Sequence, residues 1–103
     1  MSADDQLFDS YLAHLKVERG LAKNTLSAYA SDLARFAAWL EDRGVAIEDA
    51  GEGDMARYLA HVGKEGLAAR SQARVLSALR GFFKYLLRER EVRRDPTQQM
   101  EGP

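Results

Sequence analysis

Residues 70–90, RSQARVLSALRGFFKYLLRER, decide the fold. At ~100° per residue this stretch is one long helix with two opposed faces. Val75, Leu76, Leu79, Phe82, Phe83, Leu86 and Leu87 form a broad apolar arc. Arg70, Arg74, Ser77, Gly81, Lys84 and Arg88 stand on the other side. A charge run on a helix is most often an ordinary solvated face. Solvated faces usually mix signs into i,i+4 pairs, whereas this row holds no acid, and its middle members are small enough to admit a flat polyanion. A phosphate backbone is the partner such a row fits.

Working outward, three shorter helices are expected before it. Between Asp4 and Arg19, Leu7, Phe8, Tyr11, Leu12 and Leu15 recur at helical spacing, with acids at the start and bases at the end as the helix dipole favours, and Gly20 is the stop. The segment LAKNT then offers Asn24 as a cap and Thr25 as the first helical residue. The second helix runs to about Arg43, burying Leu26, Tyr29, Leu33, Phe36, Ala37 and Leu40, and Gly44 closes it. Trp39, at the edge of that stripe, reads as packed, a base-stacking platform being the lesser alternative. Residues 45–53 form an acidic, glycine-rich loop in which Val45 and Ile47 tuck inward. Asp54 or its neighbour opens a third helix carrying Met55, Tyr58, Leu59 and Val62, ended by Gly63. Ser71 or the residue before it is the expected cap of the long helix. Asp95 and Pro96 form a cap and first-turn pair for the start of a fifth, short helix. No period-two alternation supports a sheet, so the expected fold class is all-α, a compact four-helix bundle.

Bulk properties narrow the function. The 103 residues, 46% hydrophobic and 30% charged, suit one soluble domain. Without cysteine there is no disulfide or thiolate metal site, and two isolated histidines make no zinc site, so no metal or cofactor is expected. No apolar run approaches the ~20 residues of a membrane span, and MSADD lacks the features of a signal peptide; the expected setting is cytoplasmic. The net charge of −1 conceals an asymmetry: residues 1–69 hold seven Lys and Arg against twelve Asp and Glu, residues 70–94 eight against two. Distribution decides what a chain binds more than the sum does. The glycines form no phosphate-cradling motif, and paired acids lie at helix starts or in loops. None of the four tyrosines has an Arg or His cluster to activate it, and His14, beside an apolar stripe, has no evident partner. Two positive features remain. One is the start of the second helix, Lys23, Asn24 and Thr25, where unpaired N–H groups and the dipole favour an anion; the other is the long helix.

The order of these features resembles a known family. GLAKNTLSAYASDLARFAAWL, then RSQARVLSALRGFFKYLLRE, then DPTQQMEGP are similar to the N-terminal core-binding domain of tyrosine site-specific recombinases, Xer recombinases first and phage integrases next. Thr25, Tyr29, Asp32 and Leu33 match the first block; Arg74, Leu76, Leu79, Arg80, Phe82, Tyr85 and Leu86 match the second. The resemblance implies a SAM-like bundle over residues 1–95, with 96–103 starting a linker toward a C-terminal catalytic domain that holds the family's catalytic residues. It implies binding to one side of a double-stranded recombination half-site, in a synaptic complex with other protomers, and no enzyme activity of this segment itself. Its DNA-binding residues would be Lys23, Asn24, Thr25, Arg70, Ser71, Arg74, Ser77, Arg80, Lys84 and Arg88. The competing reading is a non-catalytic helical protein-interaction module whose basic face meets an acidic partner.

Overall fold

In the computed structural model, residues 3–100 are described, and among them every regular element is helical. Helix α1 spans Ala3–Arg19, α2 Lys23–Asp42, α3 Glu52–Lys64 and α4 Ala69–Arg88, with a single 3-10 turn at Ile47–Asp49 between α2 and α3. The all-α, four-helix architecture is the expected one. Helix α4 is its common wall, packing against α1, α2 and α3. Along it Val75, Leu79, Phe82, Phe83 and Leu86 are buried, facing Phe8, Tyr11 and Leu15 of α1, Leu33, Phe36 and Leu40 of α2, and Met55, Tyr58 and Val62 of α3. The rings interlock: Phe82 lies 5.1 Å from Phe8 and 5.6 Å from Tyr11, and Phe83 meets Phe36 edge-on at 6.0 Å. Such tilted pairs add to what area burial alone provides. Ile47, on the 3-10 turn, closes the core as expected, and Val45 is half-buried beside it.

Helix ends differ more from expectation than helix bodies. Gly20 and Gly44 do end α1 and α2, each with positive φ (59° and 70°). Helix α3, however, runs through Gly63 to Lys64, and Gly66 takes the left-handed position at φ 82°. Its start also comes earlier than Asp54. Gly51 is the cap, and the Asp54 carboxylate, three residues into the turn, accepts the Gly51 N–H at 2.9 Å. Helix α4 stops at Arg88, with no glycine at its end. Arg90 itself adopts φ 61°, and the Glu91 N–H donates to Leu86 O at 2.8 Å, the long bond of a Schellman ending.

Two residues of the long helix do not do what their spacing suggests. Leu87 falls at the edge of the apolar arc but is 42% exposed, because the arc is wider than the surface that α1–α3 cover. Gly81 is not an opening for a flat ligand. A Cβ there would collide with the Tyr11 hydroxyl, so the missing side chain is what lets α1 lie against α4. After α4 the chain returns to the bundle: Val92, Asp95, Pro96 and Thr97 are buried. The Asp95 carboxylate accepts both the Thr97 N–H (2.8 Å) and its hydroxyl (2.6 Å), capping one hydrogen-bonded turn where a fifth helix was expected to begin.

Candidate nucleic-acid interface

Four helices begin in two different ways. Helix α1 carries Asp4 and Asp5 in its first turn, and α3 carries Glu52 and Asp54. Their positive dipole ends are thus offset by the chain's own carboxylates. Arg57 contacts Asp54 at 3.2 Å, and the carboxyl of Asp54 titrates below the usual carboxylate range, chiefly because it accepts the Gly51 N–H. Asp4 is shifted the other way, raised by burial and then by Glu48, Asp5 and Glu41.

Helices α2 and α4 have no such neutralisation. The residue before each is an alanine in extended conformation, Ala22 (φ −63°, ψ 152°) and Ala68 (φ −58°, ψ 149°), with no side-chain cap and no acid in the first turn. Asn24 and Ser71 are therefore not the caps that the sequence suggests: each lies inside its helix, and neither side chain bonds the helix start. The first ladder bonds are Leu26 N–H to Ala22 O (3.0 Å) and Gln72 N–H to Ala68 O (2.9 Å). That leaves the N–H groups of Lys23, Asn24 and Thr25, and of Ala69, Arg70 and Ser71, as free donors at positive dipole ends. Each start also supplies a cation, Lys23 or Arg70, and a hydroxyl, Thr25 or Ser71. Gln72 fixes the approach to α4 by donating from its amide to Leu67 O at 2.7 Å.

Along the outer face of α4, Arg70, Ser77, Lys84 and Arg88 are exposed, and Ser71, Arg74 and Arg80 are half-buried. The row is less uniformly cationic than its letters. Arg74 donates from Nε to Asp32 Oδ2 at 2.8 Å and from Nη2 to Oδ1 at 2.9 Å, a two-pronged pair across α2 and α4. That bond raises the guanidinium's proton affinity above its ordinary value. Arg88 folds back, with Nη2 3.4 Å from His14 Nδ1, Nε 3.6 Å from Glu89 and the guanidinium over the Tyr85 ring. Among the described residues, Lys23, Arg70, Arg80 and Lys84 have no acidic partner.

A groove of about 540 Å³ between α2 and α3 is walled by Trp39, Tyr58, His61 and Glu65. There His61 lies 3.4 Å from Glu65, and burial raises the Tyr58 hydroxyl, the opposite of what activates a nucleophile. Tyr11 is raised further by burial, and its hydroxyl faces Ala78 O at 3.4 Å. Trp39 packs on Tyr58 at 5.2 Å and is covered by the Arg43 guanidinium at 4.7 Å, so that face is occupied. Among the described residues no group of three or more His, Asp or Glu could hold a metal ion, and no helix is long and apolar enough to cross a membrane.

Comparison with known proteins matches residues 8–90 to the family described as phage integrase, N-terminal SAM-like domain. The chain belongs to that family. Its similarity to curated members extends beyond the matched core. It is 47% identical over 100 residues to the tyrosine recombinase XerD of Pseudomonas putida, covering 97% of this chain and 34% of that one. It is 41% identical over 99 residues to the tyrosine recombinase XerD of Shewanella oneidensis, with 96% and 33% covered. With the tyrosine recombinase XerC of Azotobacter vinelandii the identity is 41% over 104 residues, with 100% and 34% covered. The chain thus spans about a third of the length of the curated relatives it matches, as an all-helical SAM-like domain.

Proposed function

We propose that this domain is the core-binding part of a tyrosine recombinase, gripping one side of a double-stranded recombination half-site. The observation that carries the reading is the pair of uncapped, acid-free helix starts at Lys23–Thr25 and Ala69–Ser71, in a chain whose other two helices neutralise theirs. Free N–H groups at a positive dipole end are ready-made phosphate ligands. Lys84, further along α4, adds a mobile point charge on the same helix, and Arg80 a second. Phosphate contacts of this kind set register on the duplex without reading sequence.

Chemistry belongs to another part of the parent protein in this reading. Tyr11 and Tyr58 are buried and hard to ionise; strand cleavage is assigned to a separate catalytic domain, and other protomers complete the synaptic complex. The setting is the cytoplasm, where such DNA is accessible. With four cations at the two helix starts and along α4, and an acidic segment over residues 1–69 that repels the duplex within the ~8 Å Debye length, non-specific affinity should be on the order of 10⁻⁴ to 10⁻⁶ M at physiological salt. Tethering to a second DNA-gripping domain would then raise the effective concentration of this one.

Fluorescence anisotropy with a labelled duplex at several salt concentrations tests the proposal. Lys84→Ala and Lys23→Ala should each weaken binding and reduce the slope of log affinity against log salt by about one unit. Unchanged slopes in both variants, with helical spectra intact, would refute it. Binding to acidic proteins but to no duplex would favour the interaction-module reading.

A further inference from the structure

The Arg74–Asp32 pair is built differently from a simple strut between helices. A guanidinium has five N–H donors in a fixed fork. Asp32 engages two of them, one on Nε and one on Nη2, at 2.8 and 2.9 Å. The Asp32 side chain is 3% exposed, so its carboxylate belongs to the interior and cannot swing to follow its partner. The Arg74 side chain is 37% exposed. Among the described residues no side-chain nitrogen or oxygen is buried without a partner, and Nη1 has none; the outer end of the fork therefore reaches solvent. Exposed neighbours lie one turn to either side on the same face, Arg70 before and Ser77 after.

We propose that Arg74, aimed by Asp32, reads a guanine in the major groove, and that Asp32 is its positioning residue. The inference rests on the DNA-binding reading above and concerns what the domain recognises. The carboxylate has two effects. It cancels the charge that would otherwise draw Arg74 to the nearest phosphate, and it fixes the plane and direction of the two outward N–H groups, on Nη1 and Nη2. Two parallel donors match the paired acceptors O6 and N7 of guanine, whereas adenine offers one acceptor beside a donor and cytosine a donor. Arg74 thus contributes selectivity with little salt dependence, while Lys23, Arg70 and Lys84 contribute salt-dependent grip with little selectivity.

The test selects preferred duplexes from a random-sequence pool with the 103-residue chain, then measures anisotropy on the selected duplex and on copies with each G·C pair replaced. The unsubstituted chain should prefer one G·C pair by on the order of 10- to 100-fold. Arg74→Lys, which keeps the charge but not the fork, should erase that preference. Asp32→Asn should blunt it and steepen the salt slope by about one unit, because the released cation becomes free for a phosphate. A purely structural pair would leave the base preference unmoved in every variant once the folded fraction is matched by circular dichroism. Should Asp32→Asn fail to fold, Arg74→Lys and Arg74→Gln still decide the question. Retention of the guanine preference in the Arg74 variants, or its absence from the unsubstituted chain while Lys84→Ala still lowers the salt slope, overturns this inference alone. A chain that binds no duplex overturns the proposed function with it.

Discussion

Gly81→Ala pits two effects of opposite sign against each other at one position. Gly81 lies in the middle of α4, where replacing glycine by alanine on an open helical face should stabilise by ~0.8–1 kcal/mol. Here the new methyl would overlap the Tyr11 hydroxyl and stand 3.3 Å from the ring carbon that bears it. Tyr11 has little room to withdraw: it is 2% exposed, and its ring is held 5.6 Å from Phe82 and 5.7 Å from Tyr85. Inserting a methyl into such a site costs ~1–3 kcal/mol. Collision should therefore exceed propensity, and Gly81→Ala should destabilise by up to ~2 kcal/mol. Tyr11→Phe alone gives up only the 3.4 Å contact to Ala78 O, worth at most ~1 kcal/mol. In the Tyr11→Phe background the overlap with the hydroxyl is removed and only the tight 3.3 Å approach to the ring carbon is left, so Gly81→Ala should recover part of its propensity gain. Urea unfolding of the four chains measures the coupling directly, with ~1–3 kcal/mol expected between the two sites. Additive effects, or a Gly81→Ala chain more stable by ~1 kcal/mol, would show that α1 does not lie against α4 as described.

Two further perturbations concern the helix starts. Asp54 titrates low because it accepts the Gly51 N–H, so its contribution is present above the ordinary carboxylate range and is lost as pH falls through its depressed value. Asp54→Ala should cost ~1 kcal/mol near neutral pH and nothing in strong acid; a pH-independent cost in thermal melts would contradict the capping role. Asn24 is exposed inside α2, with Ala22 as the cap, so Asn24→Ala should leave stability unchanged or raise it by a few tenths of a kcal/mol. A loss of ~1 kcal/mol on chemical unfolding would restore Asn24 as the cap.

Helix bodies were legible because burial imposes a period, and glycines before connectors marked two of the ends correctly. Starts were not. Asn24 and Ser71 have capping chemistry, yet the cap is set by where the extended chain turns into the helix, and both turns fall on alanines that carry no local signal. The end of α4 was hidden for a related reason: Arg90 takes the left-handed conformation that glycine usually marks, because the returning segment draws the chain back to bury Val92 and Thr97. Arg74 looked like one more free cation, since one-dimensional spacing says nothing about what another helix brings. A sign was nonetheless present. Asp32 falls within the stripe of Tyr29, Leu33 and Phe36, and a carboxylate among apolar residues demands a cationic partner. The resemblance of both blocks to the recombinase domain already placed Asp32 and Arg74 among the matching positions. The structure adds that they meet.

Because the shared wall is the last of the four helices, order of synthesis matters to this fold. While the ribosome has released only α1, α2 and α3, the faces of Phe8, Tyr11, Phe36 and Met55 have no Leu79, Phe82 or Phe83 to close on. The nascent chain must keep those aromatic and aliphatic groups out of unwanted associations until α4 emerges, a period that chaperones commonly cover. The acidic balance of residues 1–69 suits that interval, since copies that share a net charge repel one another. The arrival of α4 then closes the core and, in the same event, delivers the compensating positive charge.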